Sequence, residues 1–309
     1  MYPFRNLVFE GGGVKGIAYV GAMQVLEDEG ILGDIKRVGG TSAGSINAVL
    51  FAAGYDNAEM FDILKSLDFN DFKDDSWGML RDMKRLKDEF GWYKGDYFRD
   101  WIGELLQKKT GSENITFKSL HEHTGIALYV YASNLSTRFG EVYSPEHTPR
   151  MRVVDEVRRS MSIPLFFRAI RDDRDDVFVD GGAINNYPVK IFDRRKYLED
   201  ASLARQTDYY DKENTRLAEI SPLSSPYVYN KETLGFRLDS DTEIGVFRDG
   251  QSPDSVEIDH FLDYTMQLVK TVLSVQDNQH LHSDDWHRTV YIDTLGVGTT
   301  DFGLTDEKK

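Results

Sequence analysis

Strand-like and helix-like hydrophobic patterns alternate along the first third of the chain. Leu7 to Phe9 reads as a short buried strand, and small and apolar residues then recur at helical spacing from Gly16 to Gly30. Ile35 to Val38 predicts a second strand, and Ala43 to Ala53 predicts a second helix. This alternation is typical of an α/β fold.

Further elements follow along the rest of the chain. Ile126 to Asn134 predicts a strand, paired with a second strand over Phe139 to Tyr143 across Thr137-Arg138. The remaining predictions are helices over Asp56 to Leu67, Val153 to Met161 and His260 to His280, and strands over Val177 to Val179 and Arg288 to Asp293.

Two regions differ from this pattern. Residues 70–111 are rich in charge and aromatic side chains, which predicts a helical cap above the sheet. Residues 192–249 are polar, have poor periodicity and contain the turn residues Pro222 and Pro226. We expect one domain over residues 1–309, with the cap at 70–111 and a mobile insertion at 192–249.

Composition excludes several classes of function. The formal net charge of −15 argues against a nucleic-acid partner and against simple electrostatic docking on an anionic membrane. The absence of cysteine removes disulfides, thiolate metal sites and a cysteine nucleophile. No segment reaches the roughly 18 apolar residues that span a bilayer. The first predicted strand leaves no room for a cleavable signal, so we expect a cytoplasmic protein, or one delivered without a classical signal peptide.

The segment Gly40-Thr41-Ser42-Ala43-Gly44 joins the second predicted strand to the second predicted helix. A Gly-x-Ser-x-Gly in this position is typical of a nucleophile elbow, a turn so tight that the residues two before and two after the serine must lack side chains. The turn exposes the serine hydroxyl at the positive end of the helix. Ser42 is therefore a candidate nucleophile, with Gly40 and Gly44 as the elbow glycines.

The cluster Gly11-Gly12-Gly13-Val14-Lys15-Gly16 allows several interpretations. It matches the dinucleotide pattern Gly-x-Gly-x-x-Gly, but the second predicted strand ends in the serine elbow rather than in the acidic residue that holds a ribose. It is not a P-loop, because no Lys-Ser or Lys-Thr follows the last glycine. A run of backbone N–H groups here could instead bind a developing oxyanion. A tight glycine turn without a ligand is the remaining alternative.

Ser42 needs a base, because its hydroxyl is a poor nucleophile at neutral pH. The seven histidines occupy polar stretches, helix ends or positions beside proline, and each is better explained as a surface residue or a cap. Their spacing does not complete a metal site, and we expect neither a metal nor another cofactor.

Asp180 is the better candidate base. It ends an apolar strand, where catalytic groups project in α/β sheets, and two glycines follow it. A partly desolvated carboxylate within hydrogen-bond reach of the hydroxyl can serve as a general base. Asp-Gly is also an ordinary turn, so the residues alone leave both interpretations open. The four aspartates between 172 and 176 are better explained as a solvated hairpin.

Three blocks together resemble the patatin-like phospholipases: the glycine cluster that begins at Gly11, the elbow at Ser42, and Asp180-Gly181-Gly182. Two further stretches are similar to the family, Arg159-Ser160-Met161-Ser162-Ile163-Pro164 and Asn186-x-Pro188. The resemblance runs in order from about residue 6 to 190.

The resemblance implies a three-layer α/β/α sandwich with a mainly parallel central sheet. It implies a Ser–Asp dyad, with Ser42 as nucleophile and Asp180 as base. The oxyanion hole would be formed by the backbone of Gly11, Gly12 and Gly13, with Lys15 close by. Glu10 stands where many members have aspartate, and we expect its carboxylate to act structurally.

The implied activity is hydrolysis of fatty acyl esters in phospholipids or related lipids through an acyl-serine intermediate, with peripheral membrane contact. Aromatic residues between Trp77 and Trp101 could form apolar walls and a membrane contact, with Lys84, Arg85 and Lys87 as local positive charge, or could pack inside the cap. A soluble carboxylesterase, an acyltransferase and a regulatory or binding protein of low turnover are the alternatives. An activating partner or ligand is compatible with each.

Overall fold

The computed structural model describes residues 2–72, 79–239 and 284–298, with a few isolated positions between 255 and 271. Within them the strands are β1 (Asn6–Phe9), β2 (Arg37–Thr41), β3 (Gly91–Tyr93), β4 (Ala127–Asn134), β5 (Phe139–Tyr143), β6 (Leu165–Phe167), β7 (Ile170–Arg171), β8 (Val177–Asp180), β9 (Ala204–Arg205), β10 (Tyr229–Asn230), β11 (Thr233–Asp239) and β12 (Thr289–Asp293). The α-helices are α1 (Tyr19–Asp28), α2 (Ala43–Ala52), α3 (Asn57–Ser66), α4 (Met79–Glu89), α5 (Asp96–Thr110), α6 (Phe117–Thr124), α7 (Val153–Ser160), α8 (Gly182–Asn185) and α9 (Asp208–Ile220).

The central sheet has the strand order β12-β11-β1-β2-β4-β8-β7, with β5 also paired to β4. The five strands from β12 to β4 run parallel to one another. The pairs of β4 with β5, β4 with β8 and β7 with β8 are antiparallel. The predicted α/β fold with a mainly parallel central sheet is confirmed, as is the hairpin of Ile126 to Asn134 with Phe139 to Tyr143.

Alternation of side chains along the strands separates two packed faces. In β1, Leu7 and Phe9 join the large core under the helices, whereas Val8 packs with a smaller cluster that includes Phe192 and Tyr197. The smaller cluster belongs to the short 3₁₀ helices Val189–Phe192 and Arg195–Tyr197. Helices on one face and 3₁₀ segments on the other give the expected three layers.

Helix α2 lies at the centre of the helical layer. Nine of its ten residues are buried, because it packs on β1, β2 and β4 and is covered by neighbouring helices. A helix covered on all sides needs small and apolar residues around its whole circumference, and the sequence from Ala43 to Ala52 meets that need. The next helix, α3, begins with a capping box in which Asp56 and Glu59 bond each other's backbone N–H groups.

The region predicted as a cap, 70–111, lies outside the central sheet in its described part. Its strand β3 pairs with β6 in a separate two-stranded sheet. Helix α5 places Phe98, Ile102 and Leu106 in the main core, where Phe98 packs against Trp101. This packing favours a structural role for these aromatic residues. Trp77 lies outside the described residues.

The prediction of an insertion over 192–249 is wrong for its β11 segment. This segment is a fully buried strand of the central sheet, paired to β1 and β12. Polar residues obscured it in the sequence. The side chains of Thr233 and Arg237 are buried through specific partners, a hydrogen bond from Asn6 and a salt bridge to Asp239. Residues 240–249 and most of the helix predicted over 260–280 lie outside the described residues.

A buried ionic cluster connects β12 to the 3₁₀ layer. Arg288 donates to both carboxylate oxygens of Asp193, at 2.5 and 2.6 Å, and to Asp285 at 2.6 Å. Tyr210 also donates to Asp193. Because all these groups are buried, each charge depends on its partners.

Among the described residues, no helix combines the length and apolarity needed to cross a bilayer.

Replacing Arg288 with methionine leaves the carboxylate of Asp193 buried without its cation, while Asp285 keeps its salt bridge to Lys190 at 3.3 Å. We expect Arg288→Met to lower the free energy of unfolding by about 3–5 kcal/mol, the cost of breaking a buried ion pair. The exposed pair Lys118–Glu122 supplies the control, and Lys118→Met should cost less than about 1 kcal/mol. Urea unfolding measures both, and equal losses would contradict the role assigned to the buried cluster.

Candidate active site

Ser42 occupies the turn between β2 and α2 in a strained backbone conformation. Its φ of 52° and ψ of −127° are rare for a residue with a side chain. The turn is tight because a Cβ atom on Gly40 would overlap the carbonyl group of Gly44. A Cβ atom on Gly44 would in turn overlap the backbone of Phe9 and Glu10. The backbone therefore has the form of a nucleophile elbow at the predicted position.

The structure brings Ser42 and Asp180 into contact. Ser42 Oγ donates a hydrogen bond to Asp180 Oδ2 at 2.5 Å. The second carboxylate oxygen, Oδ1, accepts the backbone N–H of Gly182 at 2.8 Å. Ser42 is 4% exposed and Asp180 is 2% exposed, so the pair is almost completely removed from water.

Burial controls the ionisation of Asp180. It raises the pKa of Asp180 to about 7, although the hydrogen bonds from Ser42 and from the Gly182 N–H lower it. A carboxyl group with a pKa near neutrality can accept a proton from a neighbouring hydroxyl and return it later.

Asp180 ends β8, which runs antiparallel to β4, and it pairs with Ala132. The neighbouring residue of β4, Tyr131, pairs with Thr41 at the carboxyl end of β2. Asp180 therefore lies at the same edge of the sheet as the end of β2, and its side chain reaches Ser42 Oγ. Asp180 thus lies across β4 from the elbow.

The segment Ser160–Ser162 fixes the backbone of both residues. Ser42 N–H donates to Ser160 Oγ at 2.9 Å, and Ser160 Oγ donates to Tyr131 O at 2.7 Å. Asp180 N–H donates to Ser162 O at 2.8 Å. Between them, Met161 Sδ lies 3.5 Å from Ser42 Oγ. In the sequence this segment carries only a family resemblance, and its contacts with Ser42 and Asp180 appear only in the structure.

Arg158 holds this segment in place. The side chain is buried and donates to Ser162 Oγ at 2.7 Å and to Gly95 O at 2.9 Å. It also donates to Lys94 O at 2.5 Å. The candidate site is thereby connected to the segment between β3 and α5.

The glycine cluster adjoins the elbow, and its N–H groups are not equivalent. Gly11 N–H donates to Asn186 O at 3.0 Å, and Asn186 Nδ2 donates back to Gly11 O at 3.0 Å. The Gly11 N–H therefore has an acceptor already, which corrects its predicted place as an oxyanion donor. Within the described part of the chain, the N–H groups of Gly12 and Gly13 show no acceptor. Ala43, in the first turn of α2, adds a donor that the sequence analysis did not name.

Lys15 and Glu10 lie at the two ends of the cluster. Lys15 N–H donates to Gly12 O at 3.2 Å within a 3₁₀ turn, and its side chain lines a cavity beside the loop. Glu10 Oε2 accepts the N–H of Leu238 at 2.7 Å, which connects the end of β1 to β11. The Glu10 carboxylate thus makes a structural contact.

The described histidines do not approach Ser42. His121 and His123 are exposed on α6, His287 is exposed before β12, and His147 bonds Ser144 Oγ at 2.8 Å. His260, His280 and His282 lie outside the described residues. In the described ranges, no group of three histidine, aspartate or glutamate side chains is placed to hold a metal ion.

The residues of the candidate site lie in a part of the chain that matches a known protein family. The model of the patatin-like phospholipase family matches residues 7–193, which include the elbow, the glycine cluster and Asp180. The protein YqhO of Bacillus subtilis (strain 168) is 35% identical over 230 residues, which cover 68% of this chain and 75% of YqhO.

Two further similarities cover a smaller share of the other protein. The probable lipid hydrolase 463L of invertebrate iridescent virus 6 is 28% identical over 188 residues, 61% of this chain and 63% of 463L. The crystal structure of VipD from Legionella pneumophila matches with a TM-score of 0.56 and 18% identity over 99% of this chain and 64% of VipD. This last similarity shows a shared fold.

Removing the Ser160 hydroxyl leaves the Ser42 N–H and the Tyr131 carbonyl without their partner. We expect Ser160→Ala to lose about 1–3 kcal/mol of stability and to react more slowly at Ser42 with a fluorophosphonate probe, because the strained elbow loses an anchor. Ser144→Ala, another fully buried serine with a side-chain hydrogen bond, is the control that should lose stability alone. If Ser160→Ala reacted with the probe at the wild-type rate while losing as much stability as Ser144→Ala, this role of Ser160 would be contradicted.

The raised pKa of Asp180 predicts a pH-dependent effect on stability. Between pH 4 and 7 the unfolded chain ionises this carboxyl while the folded chain retains its proton, so its contribution to stability falls as pH rises. Asp180→Asn cannot ionise and so does not lose this stability. We therefore expect the melting temperature of Asp180→Asn minus that of the wild type to be larger at pH 8 than at pH 5. Calorimetry at both pH values tests this, and the same difference in melting temperature at pH 5 and pH 8 would refute it.

Proposed function

The chain belongs to the patatin-like phospholipase family, and we propose that it is a lipid acyl hydrolase that uses Ser42 and Asp180 as its catalytic pair. The observation that carries the proposal is the 2.5 Å hydrogen bond between the hydroxyl of a strained elbow serine and a buried carboxylate. The lipid part of the proposal draws support from the family itself and from the relative named a probable lipid hydrolase.

The proposed reaction has two halves. Asp180 accepts the proton of Ser42 as Oγ attacks the ester carbonyl carbon, and the carbonyl electron pair moves onto oxygen. The tetrahedral species then re-forms its carbonyl and expels the alcohol, which takes the proton from Asp180. Water next gives a proton to Asp180 and attacks the acyl-serine, and the fatty acid leaves as the proton returns to Ser42.

The developing oxyanion needs hydrogen-bond donors that are already oriented. We assign this role to the N–H groups of Gly12 and Gly13 and, from the first turn of α2, to that of Ala43. Each such donor contributes on the order of 3 kcal/mol to lowering the barrier. Gly11 has a supporting role through its two hydrogen bonds with Asn186.

Peripheral contact with a membrane is part of the proposal. Lys84 and Lys87 on α4 and the aromatic residues Phe90 and Tyr97 are exposed on the predicted cap. Arg85, counted with the lysines from the sequence, is buried and donates to Trp92 O at 2.8 Å, so it does not contribute to this surface.

Three alternatives use the same scaffold. A soluble carboxylesterase would cleave short esters without preferring lipid aggregates. An acyltransferase would pass the acyl group to an alcohol in place of water. A binding protein would retain the fold with negligible turnover.

The proposal predicts activity on phospholipid vesicles and on p-nitrophenyl esters that depends on both catalytic residues. Ser42→Ala should have only background activity, and Asp180→Asn should lose about 10²–10⁴-fold, because the general base is absent. The hairpin variant Asp175→Asn, at an exposed aspartate, is the matched control for removal of a carboxylate and should remain active.

Each outcome separates two classes of protein. Wild-type turnover no higher than that of folded Ser42→Ala on every ester would favour the binding protein over any enzyme. Hydrolysis of soluble esters without hydrolysis of vesicles would favour the carboxylesterase. Acyl transfer to added glycerol in preference to water would identify an acyltransferase.

A further inference from the structure

A cavity of about 590 Å³ lies beside the glycine cluster, between α1, α3 and the residues that follow β12. This volume is within the range of about 300–1,000 Å³ that is usual for small-molecule sites. We refer to it as the α1–α3 cavity. Its lining residues lie within 14–24, 57–61 and 293–297.

The cavity adjoins the segment that follows the proposed catalytic loop. The 3₁₀ segment Gly13–Ala18 touches the elbow on one side, where a Cβ atom on Gly16 would lie 3.1 Å from Ala43 Cβ. On the other side it lines the cavity through Val14 and Lys15, directly after the proposed oxyanion donors. One end of the cavity thus lies one residue from the N–H groups that we assign to the oxyanion.

The walls suit a hydrocarbon chain. Val14, Ile17 and Val20 form one wall, and Phe61 of α3, which is 40% exposed, belongs to the other. Along α1 the lining runs from Ala18 to Gln24, about 9 Å at the helical rise. An apolar surface of this kind is stabilised when a hydrocarbon chain displaces water from it.

Polar groups mark the two ends of the apolar walls. At the end near the glycine cluster lie the cation of Lys15 and the hydroxyl of Thr294. Thr294 Oγ1 is buried and, among the described residues, has no hydrogen-bond partner. At the far end Asn57 Nδ2 donates to Gln24 Oε1 at 2.9 Å, while Asn57 Oδ1 is buried and has no partner in the described chain.

We propose that the α1–α3 cavity binds the fatty acyl chain of the substrate, and that the Gln24–Asn57 pair limits the length of the chain it accepts. The proposal rests on the proposed function, because it places the ester of the same lipid at Ser42. Lys15 and Thr294 then lie at the end that faces the carboxyl or phosphate oxygens of the lipid.

Gly21 permits a direct test, since it lines the cavity and a Cβ atom added there meets no atom within 4 Å. Leucine at this position fills space without a clash, and replacing a helix-interior glycine stabilises the helix, so the variant should fold. We expect Gly21→Leu to reduce kcat/KM for p-nitrophenyl palmitate by about 10-fold or more and to leave p-nitrophenyl butyrate unchanged. Gly21→Ala is the control and should leave both unchanged.

Binding of palmitate to the Ser42→Ala variant, followed by calorimetry, tests the cavity without turnover. In the Ser42→Ala background, Gly21→Leu should weaken palmitate binding and Gly21→Ala should not. This result supports the inference even if the wild-type protein hydrolyses no ester and the proposed function has failed. An unchanged palmitate-to-butyrate ratio in an active Gly21→Leu enzyme, or unchanged palmitate affinity in the double variant, overturns it.

Discussion

The close approach of α2 to the carboxyl ends of β1 and β2 is the constraint on which the rest of the structure depends. The carbonyl groups of Phe9 and Glu10 lie against Gly44, whose own backbone lies against Gly40, so no side chain fits at either glycine. This contact places α2 inside the helical layer, where it packs on three strands. It also forces Ser42 to a positive φ, a cost of about 1–3 kcal/mol that the packed surroundings sustain.

The candidate site is held mainly through the backbone. The amide of Ser42 is bound by Ser160 and that of Asp180 by Ser162, so one short segment sets the separation of the two residues. Arg158 holds this segment and also binds the carbonyl groups of Lys94 and Gly95. A displacement of the segment between β3 and α5 would therefore reach the site through a single buried side chain.

The differences between sequence and structure have identifiable physical causes. β11 is predicted as part of an insertion because its polar residues interrupt the hydrophobic pattern. In the structure these residues are buried, Thr233 with a hydrogen bond from Asn6 and Arg237 in a salt bridge with Asp239. Gly11 was counted as an oxyanion donor because the sequence does not show that Asn186, far along the chain, binds its N–H. The sequence identifies Asp180 as the end of an apolar strand, and only the structure shows that this strand runs antiparallel to β4.

Local sequence is enough to predict the alternation of strands and helices, the elbow at Ser42 and the glycine loop, because these follow from hydrophobic periodicity and from turn sterics within a few residues. Tertiary structure alone decided which groups meet there. The hydrogen bond between Ser42 and Asp180 joins residues 138 positions apart, and the Ser160 contact spans 118. Such contacts depend on strand order and direction, which local patterns do not encode, and burial then sets the pKa of Asp180 near neutrality.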